Sequence, residues 1–306
     1  MTNNDGQYDY QKSLEYEEHG NYHEASIYLE SSFNKGCRDA IDSLKINKHM
    51  DVSKENSMHI HTLIEMASTG NAVVEFCVGA RFLYGINVKK DVDKAIFWLD
   101  KAVENGNSDA CYHLGKYVEK NPIENHDPIK LISKAADLKH PLAQNDLARK
   151  HLDGTLEYDP SKSLELYLEA GHKGYWIATR HAAEMLYHGK HVERNLDKAF
   201  ELYCIASNTG DPESCLMVAE MLEKGEGTEK NIYEAIRMYA LLTINYTRNG
   251  RRFCNEAAYR LGMIFEKGIE VQSDYEDAYY WYSRAAEKGH EKAEKAMNRI
   301  KNINGL

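Results

Sequence analysis

One phrase of eleven residues recurs along this chain, and it constrains the fold more than any other feature. Four copies read GINVKKDVDKA, GKHVERNLDKA, GEGTEKNIYEA and GIEVQSDYEDA, and they begin at residues 85, 189, 225 and 268. Each copy starts with glycine, which can end a helix in the left-handed conformation, and carries Asp or Asn at its seventh place, where the side chain can cap the next helix. The phrase predicts a helix-turn-helix connector, and its recurrence predicts a solenoid of stacked helix pairs.

The capping residue predicts where each second helix begins. Seven caps each precede a small or aliphatic residue by four places: Asn21, Asp91, Asn125, Asp159, Asn195, Asn231 and Asp274. Each first helix carries a small residue six places before its close, which lets the paired helix approach. These small residues are Gly79, Gly115, Ala148, Ala183, Ala219 and Gly262. The helix that contains Gly115 is predicted to close at Asn121.

Glycines that close the second helices divide the chain into units. They are Gly36, Gly106, Gly174, Gly210 and Gly289, with His140 in the same place once. The predicted units are 37–70, 71–106, 107–140, 141–174, 175–210, 211–250 and 251–289, between an N-terminal capping pair at 1–36 and a C-terminal capping helix at 290–306. The second helix after Asn231 is predicted to be longer than the others. Because one short helix pair cannot bury its apolar faces, the pairs are expected to stack into a superhelix.

These segments resemble the Sel-one-like repeat family, which is related to tetratricopeptide repeats. The resemblance rests on the four connectors, on AYRLGMIFEKG at 258–268, and on the endings DKAIFWLDKAVENG at 93–106 and DAYYWYSRAAEKG at 277–289. It implies an all-α fold: a right-handed superhelical solenoid of about seven helix-turn-helix repeats with terminal capping helices. It also implies a concave face that binds another protein, although a fold alone does not establish a function.

Charge and composition narrow the classes of partner. The formal net charge of −10 disfavours nucleic acid, whose phosphates are bound by Lys and Arg, and favours a basic protein partner. The segment from Lys288 to Lys301 mixes basic residues with glutamate and is interpreted as a solvated helix face. No segment is apolar enough for membrane insertion and no secretory signal is recognised, so a cytoplasmic location is expected. The six cysteines form no close pair and are expected to be reduced thiols; no cofactor is expected.

The first helices are expected to line the concave side. Residues two places before and five places after each small residue lie two turns apart on one helix face, and we expect them to point there. The predicted protein-binding residues are Tyr84, His113, Lys120, Asp146, Asp153, His181, His188, Lys224, Arg260 and Lys267. Cys77 and Met217 hold the corresponding places in their helices. The alternative interpretation is ordinary variation on a solvated surface.

The tyrosines divide into two groups. Tyr203, Tyr239 and Tyr282 each lie four residues after the small residue of a second helix, which indicates a role in repeat packing. Tyr84, Tyr117 and Tyr187 stay open as contact residues, since tyrosine combines a large rigid ring with a polar tip.

An enzymatic alternative rests on Asp146, Asp153, His181 and His188, because carboxylate and imidazole together suit zinc or iron. Their spacing of seven residues within a helix separates two ligands by about 10 Å, whereas ligand pairs on one helix are normally three or four residues apart. No metal site is therefore predicted. The sequence also lacks a nucleophile elbow, a phosphate loop and a dinucleotide fingerprint, so catalysis is not predicted.

The leading functional hypothesis is a non-enzymatic scaffold or adaptor that binds a partner protein on its concave face. One alternative is a bacterial toxin-immunity protein or a secreted host-interaction effector, roles set by genomic neighbourhood and delivery rather than by fold. The other is a metal-dependent or amide-cleaving enzyme, which bound metal or turnover would reveal.

Overall fold

The computed structural model describes residues 4–18, 21–34, 60–245 and 251–304. All regular structure in these ranges is α-helical, in sixteen helices. They are α1 (Asn4–Glu18), α2 (Tyr22–Asn34), α3 (Ile60–Ala67), α4 (Ala72–Tyr84), α5 (Val92–Glu104), α6 (Ser108–Lys120), α7 (Pro128–Asp137), α8 (Pro141–Leu152), α9 (Pro160–His172), α10 (Trp176–His188), α11 (Leu196–Ser207), α12 (Pro212–Lys224), α13 (Ile232–Asn245), α14 (Arg251–Lys267), α15 (Tyr275–Ala286) and α16 (Glu291–Asn304). Most of the predicted unit 37–70, together with Gly36 and Gly250, lies outside the described residues.

The chain divides into two compact units, Met1–Leu147 and Ala148–Leu306, with the boundary inside α8. In the first unit, α1 packs on α2, α4 on α5 and α6 on α7. In the second, α10 packs on α11, α12 on α13 and α14 on α15, and α16 packs on α15. Successive helices thus pair in chain order, as the all-α solenoid predicts. From α4 onward, the even-numbered helices are the first helices of the pairs and the odd-numbered ones are the second.

Most of the predicted caps are confirmed. The side chains of Asp91, Asp159, Asn195, Asn231 and Asp274 each accept a hydrogen bond from the backbone N–H three residues ahead, at 2.9 to 3.1 Å. Asn21 directly precedes α2. The helix after Asn231 has 14 residues, against 13, 10, 13, 12 and 12 in α5, α7, α9, α11 and α15, so the longer helix is confirmed.

Two local predictions between residues 107 and 140 are wrong. The cap of α7 is Asp127, not Asn125, because Pro128 has no N–H to donate and its fixed φ suits the first helical position. Asn125 instead has a left-handed φ of 66°. The predicted close of α6 at Asn121 is confirmed, since the helix ends at Lys120 and Asn121 caps it with a φ of −132°. The left-handed place predicted for His140 belongs to Lys139, at a φ of 62°.

Small residues allow the helix pairs to approach closely. A Cβ atom on Gly79 would lie 2.8 Å from Cγ of Leu99, one on Gly115 would lie 2.9 Å from Cγ1 of Ile132, and one on Gly262 would lie 2.5 Å from Cδ1 of Tyr282. Real Cβ atoms do not tolerate such distances, because interiors are already close-packed. The glycines therefore set the spacing between first and second helices.

Three large side chains of the second helices, Tyr203, Tyr239 and Tyr282, are buried in the core. Each is no more than 1% exposed. The hydroxyl of Tyr239 donates to Glu223 at 2.7 Å, and that of Tyr282 donates to Glu266 at 2.8 Å, so the buried rings keep a polar partner. The packing role predicted for these tyrosines is confirmed.

Candidate functional site

The predicted binding residues separate into two sets according to their place on the first helices. The outer set lies five residues after the small residue, and all of its members are exposed: Tyr84, Lys120, Asp153, His188, Lys224 and Lys267. The inner set lies two residues before the small residue and is half-buried: His113, Asp146, His181 and Arg260. Cys77, in the same place on α4, is only 3% exposed, and burial raises the pKa of its thiol to about 12.

Members of the inner set connect consecutive first helices. Nδ1 of His113 on α6 hydrogen-bonds the hydroxyl of Tyr84 on α4 at 2.8 Å. The carboxylate of Asp146 on α8 pairs with Lys116 on α6 at 2.9 Å. The side chains of His113 and Asp146 therefore contact the preceding first helix.

Arg260 on α14 makes the densest of these connections. Its guanidinium lies 3.2 Å from Glu220 and 4.0 Å from Glu223, both on α12, and 3.1 Å from Glu256 on its own helix. Burial acts against the charge of Arg260, but the surrounding carboxylates outweigh it and raise the pKa of the guanidinium. Arg260 is therefore a structural connector between α12 and α14.

Members of the outer set differ in the contacts that they make with neighbouring residues. Lys224 pairs with Glu220 at 3.3 Å. Asp153 holds a turn: its carboxylate accepts from the hydroxyl of Thr155 at 2.6 Å and from its N–H at 3.0 Å. These bonds lower the pKa of Asp153. Lys120, His188 and Lys267 extend into solvent.

A groove in the second unit brings two predicted residues together with six that sequence reasoning did not select. This His groove has a volume of about 350 Å³ and is lined by Leu152 of α8, Tyr167 of α9, His181, Glu184, Met185 and His188 of α10, and the following Lys190 and His191. Tyr167, Met185 and Leu152 supply apolar surface. His188 and Lys190 are exposed.

The ring of His181 is neutral at ordinary pH. It is half-buried with its centroid 5.1 Å from that of Tyr167. Burial, followed by the positive charges of Arg180 and Arg149, lowers the pKa of His181 to about 4. Imidazole in this state offers both a hydrogen-bond donor and an acceptor without a net charge.

The rest of the groove is fixed by polar contacts. Burial raises the pKa of Glu184, and its carboxylate accepts from Arg180 at 2.8 Å. Arg180 also pairs with Glu213 at 2.6 Å, which fixes α10 against α12. His191 hydrogen-bonds the hydroxyl of Tyr158, so the loop after α10 is tied to the loop before α9. The cavity is therefore preformed.

A sequence signal for this groove exists in Tyr167. It lies four residues after Ser163, the same register as Tyr203, Tyr239 and Tyr282, and it is 3% exposed. The register predicts a buried ring, but nothing in it predicts that the ring also borders a cavity. Tyr187 is one of the tyrosines whose role the sequence leaves open. Its hydroxyl donates to Glu226 at 2.7 Å, and burial raises the pKa of Tyr187 to about 12.

Among the described residues, no group of three or more His, Cys, Asp or Glu side chains is arranged to hold a metal ion. In the same ranges, no helix combines the length and apolarity that crossing a bilayer requires.

Solved structures of similar fold are repeat proteins. The protective antigen c5321 of uropathogenic Escherichia coli, described as having an SLR fold, aligns with a TM-score of 0.70 and 21% identity over 91% of this chain. This chain spans 60% of the length of that protein. A Sel1 repeat protein from Oxalobacter formigenes aligns with a TM-score of 0.53 and 19% identity, covering 90% of this chain and 96% of its own. No curated protein matches the sequence.

The family comparison is more specific than these fold similarities. The sequence pattern of the Sel1 repeat matches six segments of this chain, at residues 78–107, 108–140, 141–175, 177–211, 212–242 and 255–290. These segments make up more than half of the chain and include the connectors and small residues described above. The chain belongs to the Sel1 repeat family.

Proposed function

We propose that this protein is a non-enzymatic scaffold that binds a partner protein through its first helices, with the His groove as the anchoring point. The observation that supports this most strongly is the groove itself, a preformed cavity of about 350 Å³ between consecutive repeats. Its size falls within the range of about 300–1,000 Å³ that ligand-binding cavities occupy. Sel1 repeat proteins generally mediate protein–protein interactions, so a side chain of a partner protein is the expected occupant.

The lining of the His groove suits an apolar or aromatic anchor. Tyr167, Met185 and Leu152 provide apolar contacts, and the thioether of Met185 adapts to rings of different shape. The neutral ring of His181 adds no net charge to this lining. Interfaces are commonly held by a few such buried anchors, surrounded by exposed residues that set orientation. His188 and Lys190 occupy that surrounding position.

The chemistry of the groove fits binding better than catalysis. A pKa of about 4 leaves His181 a weak base at neutral pH, and a general base works best when its pKa lies near the operating pH. The carboxylate of Glu184 is engaged by Arg180. Binding therefore accounts for these residues without a reaction.

The test is affinity capture with a variant that fills the groove. His188→Trp places a large ring at the exposed edge of the groove without altering a buried contact. Partner capture from the native cell extract should fall at least about tenfold, because the anchor can no longer enter. Circular dichroism should show unchanged helicity.

A matched control places the same ring on a second helix. Glu201→Trp lies on α11, is exposed, and should capture the partner as the unmodified protein does. Equal recovery of the partner by all three proteins would show that the His groove is not the anchoring point.

A further inference from the structure

A second groove, chemically unlike the first, lies between α14, α15 and α16. This Lys groove has a volume of about 450 Å³ and is lined by Tyr259, Met263, Glu266, Lys267, Tyr282, Lys292, Lys295, Ala296 and Arg299. Four of these side chains are cationic and one is anionic. A cavity with a net positive lining is notable in a chain whose formal charge is −10.

The cations gather on one side of α16. Lys292, Lys295 and Arg299 are spaced i, i+3 and i+7, which places them in one stripe along the helix. Glu291 and Glu294 are exposed but do not line the groove. The charges that alternate along the sequence are therefore separated around the helix, and the interpretation of this segment as a merely solvated face misses the separation.

The single carboxylate in the lining is already engaged. Glu266 accepts from the hydroxyl of Tyr282 at 2.8 Å and pairs with Arg299. In the part of the chain that the structure describes, Lys267, Lys292 and Lys295 form no ion pair, and all three are exposed. Three ammonium groups are thus available around one cavity.

The floor of the Lys groove is aromatic and rigid. The ring of Tyr259 stacks on His290 with centroids 4.7 Å apart and lies 5.7 Å from the ring of Tyr282. Met263 lies beside them in the lining. An occupant can therefore bury an apolar side chain on the floor while its negative groups reach the lysines.

We propose that the Lys groove binds an acidic segment of a protein, in which carboxylates face Lys267, Lys292 and Lys295 and an apolar side chain contacts Tyr259 and Met263. Charge complementarity identifies the occupant: ammonium groups attract carboxylates, and a concave site concentrates the local field. The net charge of the chain favours a basic partner, whereas this groove selects acidic residues locally. The inference rests on the proposed function, since it names the chemistry of one part of the partner.

The same features disfavour nucleic acid and anionic lipid. Affinity for nucleic acid grows with the number of phosphates neutralised, and three available lysines in an acidic chain neutralise few. A lipid surface is flat, whereas these cations surround a cavity that contains a carboxylate. A narrow peptide segment fits the geometry.

The test uses a short fluorescein-labelled peptide of alternating glutamate and leucine, with fluorescence anisotropy of the full chain as the readout. Binding should appear at low ionic strength and weaken as salt is added. The triple variant Lys267→Gln, Lys292→Gln and Lys295→Gln should bind at least about tenfold more weakly. A peptide in which glutamine replaces glutamate should not bind.

The matched control removes the same charge elsewhere. Lys173→Gln, Lys288→Gln and Lys301→Gln change three exposed lysines outside the groove lining, and this variant should bind the acidic peptide as the unmodified chain does. An equal loss of peptide affinity in both triple variants would show that net charge alone governs binding, and this would overturn the proposal. So would failure of the unmodified chain to bind the peptide, or binding of an oligonucleotide or anionic vesicle in its place.

The peptide experiment is independent of the His groove. His188→Trp should leave acidic-peptide affinity unchanged. If the peptide binds as expected while His188→Trp has no effect on partner capture, the anchoring role of the His groove fails and the Lys groove stands.

Discussion

The His groove and the Lys groove occupy the same place in the repeat, yet they present opposite chemistry. Each is floored by a tyrosine four residues after the small residue of a second helix, Tyr167 in one and Tyr282 in the other. Both therefore arise from the same packing of one second helix between two first helices. The repeat therefore determines that a cavity forms, but it does not determine which group the cavity binds.

The difference arises at positions that the repeat leaves free. His181 and Ala296 both lie six residues after the residue that precedes their helix, and Glu184 and Arg299 both lie nine residues after it. At these two positions, one groove has a half-buried neutral imidazole and a carboxylate, and the other has an alanine methyl group and a guanidinium. Selectivity along such a scaffold changes from one repeat to the next without any change in fold.

The largest predicted effect concerns the frame of the Lys groove. Gly262→Ala would place a Cβ atom 2.5 Å from the ring of Tyr282, and the overpacking should lower the free energy of unfolding by about 1–3 kcal/mol. Urea unfolding followed by circular dichroism measures this. The corresponding small residue of the His groove is Ala148, which carries a Cβ atom. The distance between the tyrosine ring and the first helix therefore differs between the two grooves.

A double-mutant cycle isolates that contact. In a Tyr282→Leu background, Gly262→Ala should cost less than half as much, because the ring that clashes is gone. An undiminished cost would mean that the glycine is required for a reason other than Tyr282.

The next effect is a pH dependence confined to the His groove. The folded-state pKa of His181, about 4, lies below its ordinary value of 6.5, so between these values the unfolded chain binds more protons. The contribution of the neutral His181 ring to the free energy of unfolding is complete above pH 6.5 and is lost as the pH falls toward 4. The slope should be a fraction of about 1.4 kcal/mol per pH unit, since the ring is only half-buried.

Paired variants separate His181 from the other histidines. His181→Gln should flatten the fall in unfolding free energy between pH 7 and pH 5 relative to the unmodified chain, and His188→Gln should not, because His188 is exposed. An NMR titration in which His181 changes protonation near pH 6.5 would refute the claim that its ring is neutral through burial.

The smallest effect tests whether the engaged carboxylate matters to the Lys groove. Tyr282→Phe removes the hydroxyl that donates to Glu266, and Tyr239→Phe removes the equivalent bond to Glu223 outside the groove. Each should lower the unfolding free energy by about 1 kcal/mol. Only Tyr282→Phe should weaken acidic-peptide binding, by about twofold to threefold, because the Glu266 carboxylate then keeps Arg299 but loses the hydroxyl that also offsets its charge. Equal peptide affinities would place Glu266 outside the binding region.

The sequence alone predicts the framework of this molecule because its signals are local. A capping Asp or Asn acts on N–H groups two or three residues away, so Asp91 or Asp274 can be recognised from spacing. The cap at Asn125 fails for an equally local reason, the competing Asp127–Pro128 pair. Register likewise predicts the burial of Tyr239 and Tyr282.

The grooves are harder to predict because they depend on residues that are far apart in sequence. The chemistry of His181 depends on Tyr167 and Arg149, which belong to other helices. Lys292 and Lys295 appear balanced by Glu291 and Glu294 along the chain, and only the rotation of the helix places the two signs on different sides. Of the predicted face residues, those in the inner set are half-buried because packing between repeats competes with exposure.

The central claim, that a partner protein contacts the first helices, is tested most directly by site-specific photo-crosslinking in the native cell. A benzophenone side chain would be placed at His188 and Lys267 on first helices, and at Glu201 and Tyr280 on second helices, all four of which are exposed. We predict one shared crosslinked partner from His188 and Lys267 and none from Glu201 or Tyr280. A partner crosslinked from Glu201 and Tyr280 but not from His188 or Lys267 would contradict the claim.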